Sequence, residues 1–136
     1  MNIIIDKGAY RPERAHELDA GYDLRTPEDT YIKPHDSAII DTGVHFQIPR
    51  GYVGMLKSKS GLNVKFGLTG EGVIDAGYTG SVVAKLYNHT GESVTFNKGD
   101  KIIQIVFLPI FTPELTEVTE FEDTARGNNG FGSTGV

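Results

Sequence analysis

Short β-branched and aromatic runs, each cut off by a turn signal, constrain this chain more than any other feature. "NIIID", "SAIIDTGVHFQIP", "GYVGMLKS", "GVID", "SVVAKLYN", "SVTF" and "KIIQIVFLPI" recur between turns, in a chain with seventeen glycines. Short strands at this spacing predict an all-β sandwich or barrel. "KIIQIVFLP" is almost continuously apolar, which predicts burial on both faces, within a sandwich or against a partner chain. Helix is confined to a turn or two around "SGLNVKFGL", where glycines stand at both ends. At 136 residues the chain matches one domain, large enough to bury a core without staples.

Charge and composition exclude several classes of function. A net charge of −5 argues against general nucleic-acid binding, which needs a basic face to displace counterions from phosphates. The chain has no cysteine, so it has no disulfide framework and no thiolate metal site, in keeping with a reducing cytoplasm. Three isoleucines before Asp6 are too few for a signal peptide, and no later run approaches the ~18 apolar residues of a membrane span. A soluble, cytoplasmic chain is predicted. His16, His35, His45 and His89 show no ligand-pair spacing, and no G-x-S-x-G is present, so zinc and serine-nucleophile chemistry are disfavoured. An activated water is the remaining hydrolytic route.

Four segments carry candidate chemistry. Between Thr42 and Gly70 there is no acid, while Arg50, Lys57, Lys59 and Lys65 fall in that span, so a small anion could find a local basic patch. Within it, "SKSGLN" supplies the Ser58 and Ser60 hydroxyls, the Lys59 charge and the accessible amides around Gly61 at a possible helix start. It is not a Walker loop. In "GVIDAGYTG", a β-hairpin bracketed by Gly72 and Gly80 would hold Asp75 partly desolvated at a strand end. There it is either a general base or a turn residue bonding its own backbone. In "DAGYDLRTPED", Asp19 and Asp23 flank a glycine and either orient metal-bound water or belong to a turn. Gln104 is the one amide in an apolar strand and needs a partner, structural or ligand.

Two C-terminal segments complete the chain. "ELTEVTEFED" carries five acids and no base, with Leu115, Val118 and Phe121 interspersed, and reads as an edge strand or a docked arm. The glycine-rich last fourteen residues cannot bury enough surface to order themselves, yet Arg126, Phe131 and Ser133 are groups able to close over a ligand. A core domain over 1–122 and a flexible arm over 123–136 are expected.

Taken in order, "AGYDL", "KSGL", "GVIDAGYTG", "GDKIIQI" and "RGNNGFGSTG" resemble the five motifs of the trimeric deoxyuridine triphosphatase (dUTPase) family, from about Ala20 to Gly135. The resemblance implies a jelly-roll-like distorted β-barrel and a homotrimer with shared active sites. It also implies Mg²⁺-dependent hydrolysis of dUTP to dUMP and pyrophosphate. Asp75 takes the position of the carboxylate that activates water, and Asp23 that of the residue holding water on Mg²⁺. Lys59, Ser60, Gly61 and Gln104 match phosphate-binding positions, and Arg126 matches the γ-phosphate arginine. Tyr78 would pack under deoxyribose and exclude a 2′-hydroxyl, while the backbone from Thr69 to Ile74, including Gly72 and Val73, would read uracil. Phe131 would stack on the base, and Gly132 and Ser133 would cover the phosphates.

Two departures stand out. Lys59 replaces a common arginine, with Lys57 a candidate to compensate, and Thr69 stands where some members carry asparagine. Two rivals share the fold. A deoxycytidine triphosphate deaminase would need glutamate where this chain has Lys85; a regulatory binding module would keep the fold without turnover, as some phage-borne members bind regulatory protein partners.

Overall fold

The computed structural model describes residues 1–130. Eleven strands and one short helix follow one another. These are β1 (Asn2–Ile5), β2 (Gly21–Arg25), β3 (Thr30–Ile32), β4 (Ser37–Asp41), β5 (Val44–Gln47), β6 (Tyr52–Lys57), α1 (Ser60–Phe66), β7 (Leu68–Thr69), β8 (Glu71–Ile74), β9 (Val83–Asn88), β10 (Val94–Phe96) and β11 (Lys101–Pro109). Hydrogen bonding divides them among four sheets in the orders β2-β11-β6-β8, β4-β9-β7, β1-β5 and β10-β3. Every pairing is antiparallel.

The predicted all-β architecture is what forms, and period-2 patterning explains it. Along β9, Ala84, Leu86 and Asn88 turn inward while Val83, Lys85 and Tyr87 face out. Leu24, Leu56, Ile103 and Ile105 from the four-stranded sheet share one core with Ile40, Leu68, Ala84 and Leu86 from the three-stranded sheet. Each large aliphatic side chain buried there contributes roughly 1.5–3 kcal/mol. β11 is not buried on both faces: Ile102, Ile103 and Ile105 are inside, Lys101, Gln104 and Val106 are half-buried, and Leu108 is exposed.

The helix ends where the glycine predicts. Gly67 adopts the left-handed conformation at φ 59°, and its N–H reaches the Asn63 and Leu62 carbonyls. Leu62 is the helical side chain that leans on the core. Of the two alternatives for the acidic segment, the edge strand does not form. Residues 114–123 form no strand, and Leu115 and Phe121 are about nine-tenths exposed. Their apolar residues recur every third position, which cannot present one face of a strand.

Candidate active site

β2, β6 and β11 lie side by side, and their register assembles a polar cleft of about 270 Å³ lined by Asp19, Gly21, Asp23, Lys59, Ser60, Gly61 and Gln104, with Ala15 and Ala20. Gln104 stands opposite Asp23 on β2 and opposite Lys57 on β6. Its amide nitrogen donates to the Ser58 carbonyl at 3.2 Å, a structural partner for that end of the side chain. A Cβ added to Gly21 would lie 2.3 Å from Gln104 Oε1, which explains why that wall of the cleft is glycine. The Ser58 hydroxyl is not free for a ligand, because it accepts from the Gly70 N–H at 2.9 Å and donates to the Gly70 carbonyl at 3.2 Å.

Asp23 is the electrostatic centre of the cleft. It is only 6% exposed, yet Lys59 Nζ contacts Oδ1 and Lys101 Nζ lies 2.8 Å from Oδ2. Burial alone pushes its carboxyl up, but the hydrogen bonds and charges of Lys101 and Lys59 together outweigh burial and hold it below the usual value of 3.8. With a lowered folded value, its contribution to stability is present above 3.8 and is lost as pH falls through the folded value. Asp23 with its two ammonium partners is a net positive group. The first amides of α1, which have no partners within the helix, open beside it.

The basic span does not form a single patch. Lys57 pairs with Glu71 at 2.8 Å on the protein surface. Asp19 accepts from the His16 N–H at 2.9 Å at the cleft rim.

The Asp75 turn lies elsewhere on the protomer. Ile74 pairs with Gly54 near the start of β6, whereas Lys59 follows the end of that strand. Asp75 and Lys59 are therefore roughly 20 Å apart along the strand direction. β8 pairs with β6, while β9 pairs with β4 and β7, so the turn joins two sheets and is not the tip of a ladder-paired hairpin. Among the described residues nothing buries Asp75, which is exposed on the protomer and not partly desolvated. Its carboxylate makes no hydrogen bond among the described residues, and its backbone carbonyl accepts from the Tyr78 N–H at 3.0 Å.

The turn is nevertheless fixed. Tyr78 lies over Gly80 and donates its hydroxyl proton to the Ser81 carbonyl at 2.8 Å. Ser81 bonds Asp41, and this bond and the Gly43 N–H hold the Asp41 carboxyl below its ordinary value. His45 bridges the Thr79 carbonyl at 2.8 Å and Asp6 at 3.2 Å. Both partners are acceptors, so the fully bonded ring is the imidazolium, and the Thr79 carbonyl followed by Asp6 raises its pKa. This staple is complete below the ordinary imidazole value of 6.5 and is lost as pH rises through the raised one. An NMR titration of His45 should give a midpoint above 6.5 that falls in Asp6→Asn; a midpoint at or below the ordinary value would remove the staple.

Before β8, Thr69 Oγ1 lies 2.6 Å from His89 Nε2, and His89 stacks on Tyr87. Arg126 is exposed, its guanidinium donating to the Asn129 carbonyl at 2.9 Å, far along the chain from the cleft. Phe131, Gly132 and Ser133 lie outside the described residues. Sequence reasoning missed Lys101, His45 and His89; nothing local in "GDKIIQI", "GVHF" or "YNHT" marks them, since each acts through a residue distant in sequence.

Comparison with known proteins decides the family. The dUTPase family model matches residues 8–135. The chain belongs to the dUTPase family. A dUTPase-family relative from Paramecium bursaria Chlorella virus 1, a deoxyuridine 5′-triphosphate nucleotidohydrolase, is 40% identical over 131 residues, covering 96% of this chain and 93% of its own. The enzyme of the same name from Clostridium novyi (strain NT) is 39% identical over the full length of both chains. The dUTPase of Staphylococcus bacteriophage 80alpha, solved with dUpNHpp, superposes with a TM-score of 0.93 at 37% identity, covering 99% of this chain and 98% of that one. The dUTPase fold, jelly-roll-like and all-β, is thus the fold of this chain. Among the described residues no helix is long and apolar enough to cross a membrane.

Proposed function

We propose that this chain hydrolyses dUTP to dUMP and pyrophosphate at sites completed between the subunits of a homotrimer. The observation that carries the reading is the separation of its parts. Asp23, Lys59, Ser60, Gly61 and Gln104 share one cleft, while the Asp75–Tyr78 turn stands at the other end of β6. A substrate that needs both must touch two copies, and Asp75, exposed on one protomer, would be desolvated by the next.

Within such a site Asp75 takes a proton from water as the water oxygen bonds to the α-phosphorus. The bond from that phosphorus to the bridging oxygen breaks, and pyrophosphate leaves with the electron pair. Lys59, the Ser60 hydroxyl and the Gly61 amide hold the phosphate chain in line, and Gln104 flanks it. Tyr78 is held by its bond to Ser81 where its ring would pack under a deoxyribose and leave no room for a 2′-hydroxyl. The backbone from Thr69 to Ile74, with Gly72 packed close on Leu56 and Val73 exposed, would present amides and carbonyls to uracil. Arg126 and the segment containing Phe131, Gly132 and Ser133 would close over the phosphates and base from above.

The residues fit a magnesium ion carried in by substrate. Mg²⁺ favours one or two carboxylates plus phosphate oxygens and waters, and Asp23 is an ionised carboxylate on the wall of the phosphate cleft that would bear on the ion through water once the phosphates draw Lys59 from its Oδ1. Among the described residues no group of three or more His, Asp or Glu could hold a metal by itself. When bound, the ion supplies positive charge to the phosphate oxygens. A dUTPase from phage phi11 of Staphylococcus aureus is described with a structural Mg(II) ion; it matches this chain with a TM-score of 0.82 at 36% identity. In the cell such an activity limits uracil incorporation into DNA and supplies dUMP for thymidylate synthesis.

Pyrophosphate release from dUTP, dCTP, dTTP and UTP, assayed in parallel with Mg²⁺, tests the proposal. Release from dUTP alone is expected. Silence on all four from folded protein would favour a regulatory binding module, and ammonia from dCTP would favour a deaminase despite Lys85. Gly21→Ala should fold but displace Gln104, raising KM for dUTP by roughly tenfold, or about 1.4 kcal/mol; an unchanged KM would remove Gln104 from the phosphate site.

A further inference from the structure

Asp23 is approached by its two lysines from opposite sides. Lys59 lines the cleft with Asp23, whereas Lys101 does not; it borders a separate depression with Arg25, Leu62, Phe66 and Phe96. Lys59 reaches Oδ1 and Lys101 reaches Oδ2.

A bulge in β11 puts Lys101 there. Gln104 pairs with Asp23 and Ile103 with Leu24, so an uninterrupted ladder would set Ile102 opposite Arg25 and Lys101 opposite Thr26, which is fully buried. The register shifts between Lys101 and Ile103, and Lys101 instead stands opposite Arg25, on the same face as Asp23. The extra residue, Ile102, is buried beside Ile103. Held by sheet pairing, Lys101 is a fixed partner. Lys59, at the N-cap of α1 on the link from β6, lines the cleft and is the lysine that a phosphate bound there would meet.

We propose that Lys101 is a positioning residue for phosphate binding: by holding Asp23 from behind, it keeps that buried carboxylate compensated when Lys59 transfers from Asp23 to a phosphate oxygen. The inference rests on the phosphate role of Lys59 proposed above. Without Lys101, moving Lys59 would strand a buried, unpaired charge, and substrate would have to overcome that cost.

The test is a double-mutant cycle read by calorimetric titration of the full-length protein with dUpNHpp in metal-free buffer. Lys101→Met should weaken binding by at least about tenfold, and Lys101→Arg should restore most of it. Lys59→Met should also bind weakly, and adding Lys101→Met to it should cost little more, because Lys59 is then no longer there to be released. Losses that add across the cycle, or wild-type affinity in a folded Lys101→Met, would overturn the inference. Should Lys101→Met fail to fold, Lys101→Gln, which keeps a donor to Asp23, takes its place with the same expectation. Failure of both to fold would make Lys101 structural and overturn the proposal. If the wild type itself does not bind the analogue, the functional reading falls first and this inference falls with it.

Discussion

Replacing Asp75 by asparagine is expected to leave folding and dUTP binding nearly unchanged while lowering turnover by roughly 10²- to 10⁴-fold, the usual share of a positioned general base. The folding half of this expectation comes from the protomer. Asp75 is exposed and its carboxylate makes no hydrogen bond among the described residues, so an amide of the same shape removes no structural contact. The turn around it is held by Tyr78, Ser81, Asp41 and His45, none of which needs the Asp75 charge. Single-turnover kinetics with a parallel binding measurement would separate the two effects. Turnover close to wild type would end the assignment of Asp75 as the base.

A chain ending at Glu122 is expected to melt within a few degrees of the full-length protein and to assemble in the same way. Its kcat/KM should nevertheless fall by on the order of a hundredfold or more, because closure over the substrate is lost. Residues 123–130 are almost all exposed, and the bonds they make are local. Arg126 donates to the Asn129 carbonyl, the Asn129 N–H returns to the Arg126 carbonyl, and the Gly127 N–H reaches Thr124 Oγ1. Nothing in that segment contributes to the core. Sedimentation and thermal melting of the shortened chain check the structural half, and steady-state kinetics the functional half. A shortened chain that no longer assembles would make the segment part of the scaffold instead of a lid.

What was legible in the sequence is what local chemistry dictates. Alternating β-branched residues fall into strands such as β4, β9 and β11 because a pleated backbone sends successive side chains to opposite faces. A glycine closes α1 because position 67 needs a positive φ. The five motif segments carry residue types suited to an anionic nucleotide, and their order along the chain suffices to suggest the family.

Local signals were weaker elsewhere. β2 does not read as a strand because "GYDLR" has a glycine and an aspartate where strand propensity is poor, and its pairing with β11 overrides that preference. The acidic segment after Pro113 offered apolar residues but no partner edge, and it forms no strand.

Only the tertiary structure decided how the candidate residues are distributed. Three motif segments converge because β2, β6 and β11 are hydrogen-bonded neighbours, and the third is carried to the far end of β6 because β8 runs antiparallel to it. The pairing of Asp23 with Lys101 depends on one extra residue in β11, which reverses the face a lysine occupies. Residue types and their order are properties of the sequence; which side chains share a face depends on register, and register is set by pairing between strands distant along the chain.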